Sequence, residues 1–120
     1  MPVLSGGSKF VTHATALTGT SDTDCYVVPK NFSSHVEHFL ITNSDSSNRN
    51  YTLKYYEKEV NTTYTLFNSH AVTGKGSESI FTVDKPLYLH AEDKLIVAAG
   101  TANTLTVVIA AEEFYDPNRI

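Results

Sequence analysis

The chain has almost none of the residues that small proteins use as staples or as reactive groups. Cys25 is the one cysteine in 120 residues, tryptophan is absent and methionine occurs once. A lone cysteine excludes an intramolecular disulfide and a multi-cysteine zinc site. Positive charge is sparse too. Only Arg49 and Arg119 are arginines, lysines are scattered, and the net charge is −4. A sequence-independent grip on nucleic acid needs clustered Lys and Arg to displace counterions, so nucleic acid is not an expected partner. The longest apolar run, 105–111, is broken by Thr106 and far too short to cross a bilayer as a helix, so no membrane partner is expected. Met1 to Gly7 lacks both a basic and an apolar region, so no export signal is expected. The sequons at Asn31, Asn50 and Asn61 then read as chance.

What the chain does have is strand-forming material. Apolar residues make up 41% and charged residues 18%, enough for a hydrophobic core, and Val, Thr, Tyr and Phe are abundant. Helical periodicity is missing, while period-two alternation recurs between Gly, Asn, Asp, Ser and Pro clusters. Eight or nine strands are expected: 9–17, 24–28, 35–42, 51–58, 62–67, 79–83, 87–89, 94–99 and 104–111. The polar stretch 43–50 reads as a loop, because its side chains compete for backbone hydrogen bonds. In the third strand, strict alternation places Val36, His38, Leu40 and Thr42 on one face, and Glu37, Phe39 and Ile41 on the other. In the fourth, Tyr51, Leu53 and Tyr55 point inward, with Thr52, Lys54, Tyr56 and Lys58 outward. Val108 and Ala110 back the Leu105, Val107 and Ile109 face, which suggests a central strand buried on both sides. Short strands joined by short turns predict an all-β fold, an antiparallel β-sandwich or jelly roll. The expected organisation is an N-terminal arm over 1–8, a single β-sandwich domain over 9–114 and a C-terminal tail over 115–120.

Few residues suggest chemistry. His35 and His38 are three apart in a strand, so they are expected on opposite faces and unable to share an ion. His13, His70 and His90 stand alone, away from metal-ligand spacing. Cys25 lies in an apolar strand and reads as a small hydrophobe, not a thiolate nucleophile. No catalytic, metal or cofactor-binding residue is expected, and the chain does not read as an enzyme. A Cys- or His-dependent hydrolase would require Cys25 to be reactive beside a histidine. The tyrosines Tyr51, Tyr55, Tyr56 and Tyr64 occupy two strands that can pair as a hairpin. They read mainly as core and rim residues, with Tyr56 as a possible exposed aromatic surface for sugar or protein. Residues 112–120 read as a polar-aromatic end that Pro117 keeps from regular pairing, either a frayed tail or an arm docking on a neighbour. The protein-contact candidates are Val3 and Leu4 at one end and Phe114, Tyr115, Arg119 and Ile120 at the other.

Several segments carry a family resemblance. Ala16-Leu17-Thr18-Gly19-Thr20-Ser21-Asp22, then Cys25-Tyr26-Val27-Val28-Pro29, resembles the opening of small β-sandwich proteins encoded in tailed-bacteriophage structural gene clusters. The likeness continues through His38-Phe39-Leu40-Ile41-Thr42-Asn43, Tyr51-Thr52-Leu53-Lys54-Tyr55-Tyr56 and the run from Asp84 to Leu95, and ends at Thr104 to Ile109. That family usually has Gly before Asp93, where this chain has Glu92. These motifs are turns and core strands, so they carry over no site residue. The resemblance implies a virion accessory protein, assembled in the host cytoplasm and located in the virion. Its partners would be other virion proteins: the major capsid protein, or tail and neck proteins. A capsid decoration (cement) protein is the first expectation, as a homo-oligomer with a trimer favoured. A tail, neck or fibre component, touching host glycans through Tyr56, is the alternative.

Overall fold

The computed structural model describes residues 7–117 and contains no helix among them. Nine strands follow one another: β1 Ser8–Leu17, β2 Thr23–Val27, β3 Phe32–Asn43, β4 Arg49–Glu57, β5 Thr62–Val72, β6 Ser77–Phe81, β7 Leu87–Leu89, β8 Lys94–Ala99 and β9 Leu105–Tyr115. They form two antiparallel sheets. One has the order β1-β9-β3-β6, with β7 pairing the N-terminal half of β3 beside β6; the other has the order β2-β8-β4-β5. First and last strands lie side by side, and successive strands alternate between sheets in the early part of the chain. This is a jelly-roll pattern of two interlocked Greek keys.

Alternation builds the core. The β1-β9-β3 sheet turns Leu17, Val36, Phe39, Ile41, Leu105, Val107, Ile109 and Ala111 inward, all buried. Against them stand Tyr26, Tyr51, Leu53, Leu95, Val97 and Ala99 from the second sheet. The inward set of β4 matches the sequence expectation, because Tyr51, Leu53 and Tyr55 pair in turn with Ala99, Val97 and Leu95. The polar 43–50 loop is folded around the buried Asn43. Its amide donates to the carbonyls of Ser47 (2.8 Å) and Val72 (3.1 Å), and its Oδ1 accepts from the Asp45 amide (2.9 Å).

Three features depart from the sequence reading. The β3–β9 ladder pairs Val36 with Ala111 and His38 with Ala110, so Glu37 is an extra, unpaired residue. This β-bulge changes the in-out phase. Val36 and Phe39 are both buried, and His38 points outward with Leu40 and Thr42. Second, β9 does not stop at Ala111. It pairs with β1 through Phe114 and with β3 through Tyr115, so residues 112–115 are strand and not tail. Third, β9 is central as expected, yet Val108 and Ala110 are only half-buried, because no layer of the described residues covers that outer face. At the β7–β8 turn Glu92 takes the left-handed conformation with φ of 66°. Glycine adopts that conformation without strain. Gly74 is needed for a different reason, since a Cβ there would overlap the Ser46 carbonyl.

Candidate interaction surfaces

The sandwich has two outer faces, two ends and two pairs of sheet edges. The outer face of the β1-β9-β3 sheet is the most distinctive. Strand register lines up Phe10 (β1), Glu112 (β9), His35 (β3) and Tyr88 (β7) as one cross-sheet row. The next rows are Thr12, Ala110 and His38, then Ala14, Val108 and Leu40. No Lys or Arg occurs at these outward positions. The row ends in two large, open aromatics: Phe10 is 74% exposed and Tyr88 68%. Neither stood out in the sequence, since both sit beside apolar neighbours and their exposure depends on lying near the margins of the sheet.

The bulge at Glu37 overturns the expectation that His35 and His38 face opposite ways. Two outward residues follow one another, so His35, Glu37 and His38 all lie on the outer face. His35 stacks on the Tyr88 ring with centroids 4.7 Å apart and a 27° interplanar angle. Its Nδ1 is 3.9 Å from Glu37 Oε2, too long for a hydrogen bond, and its Nε2 is a buried atom with no hydrogen-bond partner. Glu112, directly across the ladder, accepts a hydrogen bond from Ser8 Oγ at 2.6 Å. The metal-capable atoms of His35, Glu37 and Glu112 lie within 4.8 Å of one another.

The sequence candidates are dispersed. Phe114 is half-buried on the same outer face, lining a shallow depression with Ser33, His35, Tyr88 and Asp116. Tyr115 is 40% exposed and packs edge-on against Phe32, with centroids 5.6 Å apart. Val3, Leu4, Arg119 and Ile120 lie outside the described residues. Tyr56 points outward on the other sheet but is half-buried. Its hydroxyl donates to Asn61 Oδ1 at 2.7 Å, and Lys94 Nζ stands 5.4 Å from its ring centroid. Tyr55 and Tyr64 stack on each other across the β4–β5 hairpin, 6.0 Å between centroids. The four hairpin tyrosines therefore do not form one exposed patch.

One end of the sandwich carries a cleft of about 400 Å³ between the β2–β3, β4–β5 and β7–β8 turns. Lys30, Lys58, Glu59, His90 and Glu92 reach it, with Asp93 at its base. Asp93 is buried and already engaged. Its Oδ1 accepts from the Lys58 amide (3.0 Å), and its Oδ2 from the His90 amide (2.9 Å) and the Tyr55 hydroxyl (3.3 Å). It clamps two turns together. Burial, followed by the Asp93 charge, pushes the Tyr55 phenol well above its usual range.

A second buried polar group lies between the sheets. Tyr26 donates to Glu113 Oε2 at 2.6 Å and meets Ser34 Oγ at 2.8 Å, while Lys9 Nζ lies 3.7 Å from the same carboxylate. This accounts for a buried glutamate near the end of β9. Cys25 is buried, and burial pushes its thiol up to about 11, the direction opposite to that of an activated nucleophile.

No family model matches the chain, and a sequence search of curated proteins finds no match. Solved structures do match its fold. One is a chain of the acid-stable capsid of Helicobacter pylori bacteriophage KHP30, at 10% identity and a TM-score of 0.54, covering 94% of this chain and 90% of that one. Another belongs to Bacillus endospore appendages, described as disulfide-linked pili. It is 14% identical with a TM-score of 0.52, covering 91% of this chain and 86% of that one. At such identities the likeness establishes the shared sandwich and nothing finer.

Proposed function

We propose that the protein is a structural component of a bacteriophage virion, a capsid decoration protein that stabilises the head by protein–protein contacts. The observation that carries this reading is the outer face of the β1-β9-β3 sheet. It is half-buried at its centre, free of Lys and Arg, and bounded by the open side chains of Phe10 and Tyr88. Burying such a face against a neighbour removes apolar area from water without desolvating a Lys or Arg, and the carboxylates of Glu37 and Glu112 are its charged groups. Two of the buried ionisable groups are engaged in structure: Asp93 holds turns and Glu113 holds Tyr26. This supports a non-enzymatic role. Two further points support assembly in a particle: the tailed-phage sequence resemblance, and a fold shared with subunits of a phage capsid and a pilus. A decoration protein works by many modest contacts repeated over a shell, which add to high avidity without one dominant anchor.

The test is quantitative mass spectrometry of purified virions, scaled to the major capsid protein. The decoration reading expects a copy number of the same order as that of the capsid protein. A few copies per particle would replace it with the tail, neck or fibre reading. Absence from particles would refute both.

A further inference from the structure

We infer that His35, Glu37 and Glu112 form a binding site for a divalent transition-metal ion, Zn²⁺ by ligand type, on the outer face of the β1-β9-β3 sheet. The inference stands independently of the role in a virion. The site is a product of the bulge. An unbulged strand would seat Glu37 in the ladder opposite Ala110. As the extra residue it stands out of the pairing, next to His35 and diagonal to Glu112. One imidazole and two carboxylates from adjacent strands then converge, their donor atoms within 4.8 Å.

The surroundings hold two of these ligands in place. Ser8 donates to Glu112, the kind of outer hydrogen bond that orients metal-binding carboxylates, and the Tyr88 ring fixes the plane of the imidazole. Neither His35 nitrogen has a hydrogen bond to the cluster: one is 3.9 Å from Glu37, the other buried and without a partner. Nδ1, the nitrogen on the Glu37 side, is therefore the one presented to an ion. Tetrahedral zinc, with bonds of about 2.1 Å, needs ligand atoms roughly 3.4 Å apart. Small rotations of the two glutamate side chains supply the closure, because both are half-exposed and free of core packing. The nitrogen donor selects against Ca²⁺ and Mg²⁺, which take oxygen ligands. Three protein ligands leave the remaining position for water or a group from outside.

A second histidine–carboxylate contact among the described residues, His70 Nε2 to Glu78 Oε2 at 2.8 Å, serves as the internal control. There the carboxylate also accepts from the buried Tyr51. The experiment is calorimetric titration of the full chain with ZnCl₂ near neutral pH, repeated in excess Mg²⁺ or Ca²⁺. Saturable binding of one Zn²⁺ per chain is expected, unaffected by Mg²⁺ or Ca²⁺. His35→Gln, Glu37→Gln and Glu112→Gln should each weaken it at least tenfold, and His70→Gln should leave it unchanged. Zn²⁺ should raise the melting temperature of the parent protein and not that of Glu37→Gln, whose residue is outside the ladder and whose fold is checked by circular dichroism. Absence of saturable binding overturns the inference. So does binding that survives Glu37→Gln and His35→Gln, or that disappears in His70→Gln.

Discussion

Deleting Glu37 should leave the fold intact, whereas deleting Leu40, three residues along the same strand, should not. In β3 the buried positions are Ser34, Val36, Phe39, Ile41 and Asn43, so one residue too many separates Val36 from Phe39. Removing Glu37 brings His38 directly after Val36. It then stands opposite Ala110, where it already pairs, and the ladder with β9 becomes continuous. Every inward side chain stays inward, so the loss should be under about 2 kcal/mol, the range of ordinary single changes. Removing Leu40 leaves two outcomes. Either the strand straightens, which turns Phe39 out and His38 in, or Ile41 and Asn43 leave the core. Phe39 and Ile41 are fully buried. Losing Phe39 from the core costs about 3–5 kcal/mol, as a truncation to alanine would. Losing Ile41 costs about 1.5–3 kcal/mol of burial, with the Asn43 hydrogen bonds in addition. For a domain stable by about 5–15 kcal/mol, that removes much or all of the margin. Urea unfolding followed by circular dichroism measures both. Equal losses in the two deletions, or a Glu37 deletion that fails to fold, would refute the assignment of Glu37 as the bulge.

Three other changes probe separate parts of the sandwich. Glu92→Gly should stabilise by about 1 kcal/mol, because the left-handed conformation costs a non-glycine residue about 1–2 kcal/mol and glycine's extra unfolded freedom offsets part of the gain; a shift in the urea midpoint reads it. Asp93→Ala should cost at least about 2 kcal/mol, because it strands the Lys58 and His90 amides, and it should speed hydrogen exchange at both. The Cys25 thiol titrates higher in the folded chain than in the unfolded one. Its contribution to stability is therefore full below pH 9 and lost as the pH rises from about 9 to about 11. Parent stability should fall faster than that of Cys25→Ala across that window, and Cys25 should resist alkylation in native buffer and react in urea.

Much of this architecture is legible in the residues. The strands 87–89 and 94–99 fall where alternation and turn residues put them, and the Tyr51-x-Leu53-x-Tyr55 pattern gives the inward face of β4 directly. The β3 phase is harder. Val36, Phe39 and Ile41 are spaced by three and then two, a break in period-two alternation that signals a bulge only once the partner strand is known. Glu112 and Glu113 look like the start of an acidic tail. Glu113 is a core residue because Tyr26 and Lys9, far off in sequence, reach its carboxylate. The candidate site shares that difficulty. His35 and Glu37 are two apart in sequence, but Glu112 joins them only through the β3–β9 pairing, and a strictly regular strand would have split His35 from His38.

The most direct test of the account is imaging of the assembled particle at residue resolution, since the claim is that outer surfaces carry the function. The account predicts that Phe10 and Tyr88, open in the single chain, are covered by neighbouring subunits, while the cleft above Asp93 faces solvent. A particle in which the β1-β9-β3 outer face stays bare, with a ligand or partner group seated in that cleft, would contradict it.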